Sequence, residues 1–316
     1  MSRKKAVFLY EGKRMRWFAL AGIIAGVLFT ILMKHEFKGA FEDGSFYLGG
    51  GINYGFCKML GSASILIVGC IAVMSIFQFS DWHKKSTQEY LLSLPFTQKE
   101  RFLAKALCGY GTILLSGITV LLGMIYVRNC YITEFWKNLS GIAYSDIIMG
   151  NNTMWQLIQL GLQLILMMLA LYSIFLLAHI LVSRGIVAAL IGTGMSFAPI
   201  YLWSVGYVLL YDGWFFREMQ LDIPKYREWG QYFGVCVGSG FRSTDMCSQM
   251  ESSSYYIIVN YSNFWLMLFA AFATIFIIGG LAYWISGRVD MARTGIVVQK
   301  KSARSFISAG MGVCFG

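Results

Sequence analysis

Long apolar runs recur along the chain and are separated by shorter polar segments. A helix needs about 20 mostly apolar residues to cross a bilayer, since each residue adds about 1.5 Å and the hydrocarbon layer is about 30 Å thick. Continuously apolar runs favour helices over the alternating strands of a membrane barrel. The pattern predicts an all-α membrane protein, a six-helix transmembrane bundle over residues 17–286. Its spans are expected at about 17–33, 60–79, 103–127, 155–182, 186–210 and 264–285.

The composition supports this prediction. The chain is 57% hydrophobic and only 13% charged, whereas soluble domains carry about 25% charged residues. These values disfavour a water-soluble enzyme and exclude a disordered chain. Tryptophans fall near the predicted span ends, where an indole can lie among lipid headgroups; they are Trp17, Trp155, Trp203, Trp265 and Trp284.

The basic residues behind the net charge of +10 are concentrated in a few polar segments. They lie in a leader over 1–16, in the connection between the second and third spans, beside Arg184, and in a tail over 287–316. Basic flanks stay in the cytoplasm, so both termini are expected there. We therefore interpret the charge as a topology signal and a site for membrane lipids, and it requires no nucleic acid as a partner.

Both terminal segments leave alternatives open. The leader could be amphipathic, and the first run is interpreted as a retained anchor because it has no small-x-small cleavage site. The tail ends in an apolar run over 306–316 that is too short to span. It is either the start of a further span or a membrane-surface tail.

Residues 211–263 form a long predicted outer loop, which is either a small cap or an irregular surface loop. Cys236 and Cys247 share this loop and could form a disulfide, with free thiols as the alternative. A second outward segment, 34–59, is also interpreted as a connection.

The segment after the second span contains two capping boxes, Ser86 to Glu89 and Thr97 to Glu100. Pro95 lies between them and should end the first helix, because it has no N–H to donate. The pattern predicts a short helix over about 87–94, a break, and a second helix that continues into the third span.

Tyr90, Leu91 and Leu94 would form a small apolar face on the short helix. This face could anchor the helix to lipid headgroups or contact another protein.

The run from Glu89 to Lys105, EYLLSLPFTQKERFLAK, resembles the segment after the second span of ABC-2-type transporter permeases. The basic leader and the six spans with cytoplasmic termini fit the same family, whereas the outer loop before the last span is longer than the family's compact hairpins. The resemblance implies the permease subunit of an exporter in the cell (inner or plasma) membrane. Its short helix would be a coupling helix, seated in a separately encoded ATP-binding cassette subunit. The implied contact residues are Glu89, Tyr90, Leu91, Leu94, Pro95, Lys99 and Arg101.

In such a complex a second permease completes a homo- or heterodimer, and the partner ATPase holds ATP and Mg²⁺. This chain contains no Gly-x-x-x-x-Gly-Lys-Ser/Thr string, and no Asp, Glu, Lys or Arg lies at the centre of a predicted span. We therefore expect neither enzymatic activity nor a bound cofactor or metal in the chain itself. The alternative function is a non-transporting membrane sensor or assembly protein whose outer loop binds a ligand.

Within the spans, Gln156, Gln159 and Gln163 share one helix face. They could bond a neighbouring helix or line a translocation path. Small residues at Gly22 and Gly26, and at Ala188 and Gly192, predict close helix approaches. His179, near Arg184, is interpreted as a hydrogen-bonded or water-facing side chain rather than a proton carrier.

Overall fold

The computed structural model describes residues 3–42, 52–83, 96–139, 150, 152–196 and 264–288, which are helical almost throughout. Within these described ranges, five helices are long and apolar enough to cross a membrane. The all-α, membrane-embedded prediction is confirmed at this level. The span predicted at 186–210 is described only as far as Ser196. The principal helices are α1 (Arg3–Glu42), α2 (Ile52–His83), α3 (Gln98–Leu139), α4 (Met154–Leu181), α5 (Gly185–Ser196) and α6 (Phe264–Ser286).

Two of these helices extend well past the predicted spans. α1 has 40 residues and α3 has 42, and the basic leader is continuous with α1 from Arg3 onward. Val7, Glu11 and Met15 are buried and recur every four residues, so one face of the leader packs against the bundle.

The segment 34–59, which the sequence predicts to be a connection, is helical at 34–42 and 52–59. Aromatic packing explains the extra turns. The ring centroids of Phe37 and Phe56 lie 4.6 Å apart, and Phe41 stacks on Tyr131 at 5.1 Å. Because these side chains cover one another, the helices remain packed beyond the apolar spans.

α1 and α3 run parallel to each other. Gly22 contacts Ser116 and, nearer the other end, Thr30 contacts Gly123. A Cβ at Gly22 would overlap Ser116 Oγ, and one at Gly26 would come within 3.0 Å of Thr119. The close approach predicted from this glycine pair is confirmed, because hydrogen side chains let the two backbones meet.

α2 and α4 also run parallel, in the direction opposite to α1. The Asn53 N–H donates to Asn152 Oδ1 at 2.9 Å near their starts, and His83 contacts the Ser183 carbonyl near their ends. α6 is antiparallel to α3, with Gly279 beside Tyr110 and Gly287 beside Lys99.

These directions place the start of α1, the end of α2, the start of α3 and the ends of α4 and α6 at one end of the bundle. The segment 84–97, which connects α2 to α3, is called the elbow, and this end of the bundle is called the elbow end. The helices alternate in direction along the chain, as consecutive membrane spans must.

α4 is the central helix, packed against α2, α3 and α6 and buried along most of its length. α5 folds back on it, and a Cβ at Gly192 would come within 2.6 Å of the Phe175 ring, which confirms the second predicted close approach. α1 and α6 instead expose large apolar side chains to the surroundings. Exposed indoles of Trp265 and Trp284 mark the two ends of α6, about 28 Å apart along the helix, which matches the hydrocarbon thickness.

Candidate functional site

Four charged side chains meet inside the elbow end of the bundle. Lys105 Nζ lies 2.8 Å from Glu11 Oε1 and 2.9 Å from Asp81 Oδ2, and Arg14 pairs with Asp81 at 3.1 Å. Lys105 is only 1% exposed and Glu11 only 4%. These residues, called the charge cluster, contribute two positive and two negative charges that cancel. The charge cluster joins α1, α2 and α3.

Backbone hydrogen bonds reinforce the position of Lys105. Its ammonium also donates to the Gln78 carbonyl at 3.0 Å, and the Gln78 amide donates to the Lys105 carbonyl at 2.6 Å. The Tyr172 hydroxyl of α4 donates to Gln78 Oε1. Since an ammonium has three N–H donors, contacts with Glu11, Asp81 and Gln78 use its full capacity.

The charge cluster was not predicted. Lys105 was interpreted as a topology and lipid contact, and Glu11 and Asp81 only as acids within the basic flanks. Their burial is possible because opposite charges paired at 2.8 to 3.1 Å offset much of the cost of removing them from water. The sequence offered one sign of this cluster: Glu11 and Asp81 are acidic residues within otherwise basic flanks.

The start of α3 is fixed by the second predicted capping box, which is confirmed. Glu100 N–H donates to Thr97 Oγ1, and Thr97 N–H donates to the Glu100 carboxylate, both at 3.2 Å. Helix α3 therefore begins directly at the elbow and continues unbroken through its whole span. The first predicted box, 86–89, lies outside the described residues.

Two predicted contact residues, Lys99 and Arg101, lie on this first turn. Lys99 is exposed, with its ammonium 5.6 Å from the Tyr283 ring centroid and its stem against Gly287 of α6. Arg101 is 6% exposed and donates to the Phe96 carbonyl at 3.3 Å. The start of α3 is therefore connected to α6 through Lys99 as well as to α1 through the charge cluster.

A chain of polar side chains links α2 and α4 at the same end. His83 Nδ1 lies 2.7 Å from the Ser183 carbonyl, and His83 Nε2 lies 3.0 Å from His179 Nδ1. His179 Nε2 lies 3.0 Å from Ser75 Oγ. His179 is 2% exposed, so of the two predicted alternatives it is the hydrogen-bonded one and does not face water. His83 was not singled out in the sequence.

The three glutamines predicted on one face of α4 differ in their surroundings. Gln156 closes a capping box with Thr153, accepting from its N–H at 3.0 Å. Gln159 is buried and Gln163 is partly buried. Lining of a translocation path by these residues stays a prediction.

The remaining predicted site residues lie outside the described residues. They are Glu89, Tyr90, Leu91, Leu94 and Pro95 of the coupling segment, Cys236 and Cys247 of the outer loop, and Trp203.

The chain matches no protein-family profile, no curated protein and no solved structure.

Proposed function

We propose that this protein is the permease subunit of an ABC-2-type exporter, driven by a separate ATP-binding cassette subunit that docks at the elbow. The observation that carries the proposal is the attachment of the elbow: α3 starts there with a capped first turn, and its buried Lys105 is paired to both preceding helices. Residues 89–105 resemble the coupling segment of such permeases, and this resemblance is the reason for proposing an ATP-binding cassette subunit as the partner.

The proposed mechanism is a rigid-body movement. When ATP closes the cassettes, the partner displaces the elbow and with it the start of α3. The charge cluster keeps the start of α1 and the end of α2 with the start of α3 during this movement. The glycine contacts at Gly22, Gly26 and Gly123 hold α1 and α3 together over their length, so the pair tilts as one lever.

The proposal places the elbow end and both termini in the cytoplasm of a cell membrane, in accord with the basic flanks. ATP and Mg²⁺ belong to the partner subunit. Lipid and a second permease would cover the exposed apolar surfaces of α1 and α6. The gene of an ATPase with a P-loop is expected next to the gene of this chain.

The decisive experiment is co-purification with that neighbouring ATPase. Tyr90→Asp and Leu94→Asp should each reduce complex recovery by about tenfold or more, since a buried charge in an apolar contact costs over about 1.4 kcal/mol. Tyr10→Asp is the matched control. It places the same charge at an exposed tyrosine on the elbow end but outside the proposed contact.

An unchanged complex and ATPase rate in both elbow variants would contradict the proposal. Loss of the complex in all three variants would point to a general charge effect instead. If no ATPase binds the wild-type chain, the sensor or assembly function becomes the better hypothesis.

A further inference from the structure

His83 of α2 and His179 of α4 form the middle of a hydrogen-bonded chain with four contacts. Ser75 Oγ lies 2.7 Å from the Ala72 carbonyl, and His179, His83 and the Ser183 carbonyl follow in order. The two ends of this chain are carbonyl oxygens, which can only accept. Every donor must therefore come from the serine and the two imidazoles between them.

Counting protons shows that the neutral side chains have too few protons to form all four hydrogen bonds. Each of the four contacts needs one proton, whereas a neutral serine and two neutral imidazoles supply three. With Ser75 donating to the Ala72 carbonyl and His179 Nε2–H to Ser75, His83 donates either to His179 Nδ1 or to the Ser183 carbonyl, and in the neutral state the other of these two contacts stays empty. One additional proton fills all four contacts.

The same counting excludes a second proton. With both imidazoles protonated, two N–H donors and two positive rings would face each other across the 3.0 Å between His179 Nδ1 and His83 Nε2. With one extra proton, the proton of this middle contact can reside on either ring. We infer that His83 and His179 form one proton-binding site between α2 and α4, which takes up a single proton and shares it between both rings.

The surroundings contain charges from each neighbouring helix. On α2 the Asp81 carboxylate lies two residues before His83 in the sequence. On α3, Lys105 lies 5.8 Å from the Phe79 ring centroid, and Phe79 stacks on His179 at 5.1 Å. Glu11 and Arg14 of α1 are bound within the charge cluster, as are Asp81 and Lys105.

Other charges at this end lie in neighbouring segments. Arg101 is buried on the first turn of α3, and Arg184 is exposed after α4. Beyond α6, Arg288 packs over Trp284, with its guanidinium carbon 3.9 Å from the ring centroid. Because the charge cluster is neutral as a unit, the opposition to a proton on the histidine pair comes mainly from burial.

Proton uptake would change the contact between the helices. The contact that is empty in the neutral state would be filled, and a positive charge would appear between α2 and α4. His83 is partly exposed and offers the route by which a proton enters. The inference does not depend on the proposed transport function.

The test is nuclear magnetic resonance of the full chain in lipid nanodiscs with ¹⁵N-labelled histidine. The chain has only three histidines, and His35 is exposed and serves as an internal reference. As pH is lowered from about 8 to 4, the His83 and His179 signals should move together in one step that corresponds to one proton. His35 should titrate separately.

Variants sharpen the test. His179→Gln should abolish the joint step. Ser75→Ala should move the joint step to lower pH by about one unit, since the protonated chain loses its acceptor. Ser173→Ala is the matched control, because it removes another buried hydroxyl of the bundle, one bonded to Tyr110.

Independent steps for the two rings, uptake of two protons, or equal effects of Ser75→Ala and Ser173→Ala would overturn the inference. Size-exclusion chromatography at each pH monitors the fold. Unfolding of the protein at a higher pH than the joint step would also overturn the inference.

Discussion

Lys105 and Asp81 flank the elbow in the sequence and are joined at its base, where the Lys105 ammonium lies 2.9 and 3.1 Å from the two carboxylate oxygens of Asp81. This pair joins the end of α2 to the start of α3. This geometry yields a first prediction about stability.

Replacing Lys105 with Met should destabilise the fold by about 3–5 kcal/mol, because two buried carboxylates then lack their shared cation. The measurement is unfolding of the purified protein in detergent or nanodiscs. Adding Glu11→Gln and Asp81→Asn to this variant should restore much of the loss. Lys38→Met, which breaks an exposed pair with Glu42, is the control and should change little. Equal losses at Lys105 and Lys38 would contradict the buried network.

Gly109→Ala should lower the melting temperature, because the new Cβ would overlap the Tyr172 ring and displace its hydroxyl from Gln78. Gly111→Ala, two residues along the same helix, meets no atom within 4 Å. This control should be neutral or stabilising by up to about 1 kcal/mol, since alanine favours helix. Similar melting temperatures for the two variants would show that α3 and α4 do not meet at Gly109.

Thr97→Ala should fray the first turn of α3 at a cost of about 1 kcal/mol, since Glu100 N–H loses its acceptor. Hydrogen exchange at 98–101 should accelerate while exchange in the middle of α3 is unchanged. Thr97→Ser retains the hydroxyl and should preserve protection. Unaltered exchange in the alanine variant would contradict the capping box.

Cysteines introduced at Lys13 and Lys38 in a cysteine-free background should be labelled from opposite sides of the membrane. Both side chains are exposed, and they lie near opposite ends of α1. Lys13 should be reached only from the cytoplasm because its flank is basic. Labelling of both from one side would contradict the crossing of the membrane by α1, and labelling of Lys13 from outside would reverse the proposed topology.

Hydropathy located the cores of the helices but not their ends. The turns at 34–42 and 52–59 were missed because their stability comes from contacts such as Phe37 with Phe56, between different helices. An average of hydropathy over a window measures preference for lipid and contains no information about such partners.

Short sequence motifs predicted local structure more accurately than hydropathy predicted the helix ends. The start of α3 followed from Thr97 and Glu100, since a capping box acts over three residues. The close approach of α1 to a neighbour followed from Gly22 and Gly26, because small residues permit it on any packed helix. The glycine pair did not indicate which helix is the neighbour; the structure shows that it is α3.

The sequence alone determined that this is a helical membrane protein with a basic end and a capped helix after the elbow, because these properties depend on composition and on residues within one or two helical turns. Only the tertiary structure decided that Lys105 meets Glu11 and Asp81, and that His83 meets His179. Side chains on different helices find each other through the directions and offsets of those helices, which packing sets.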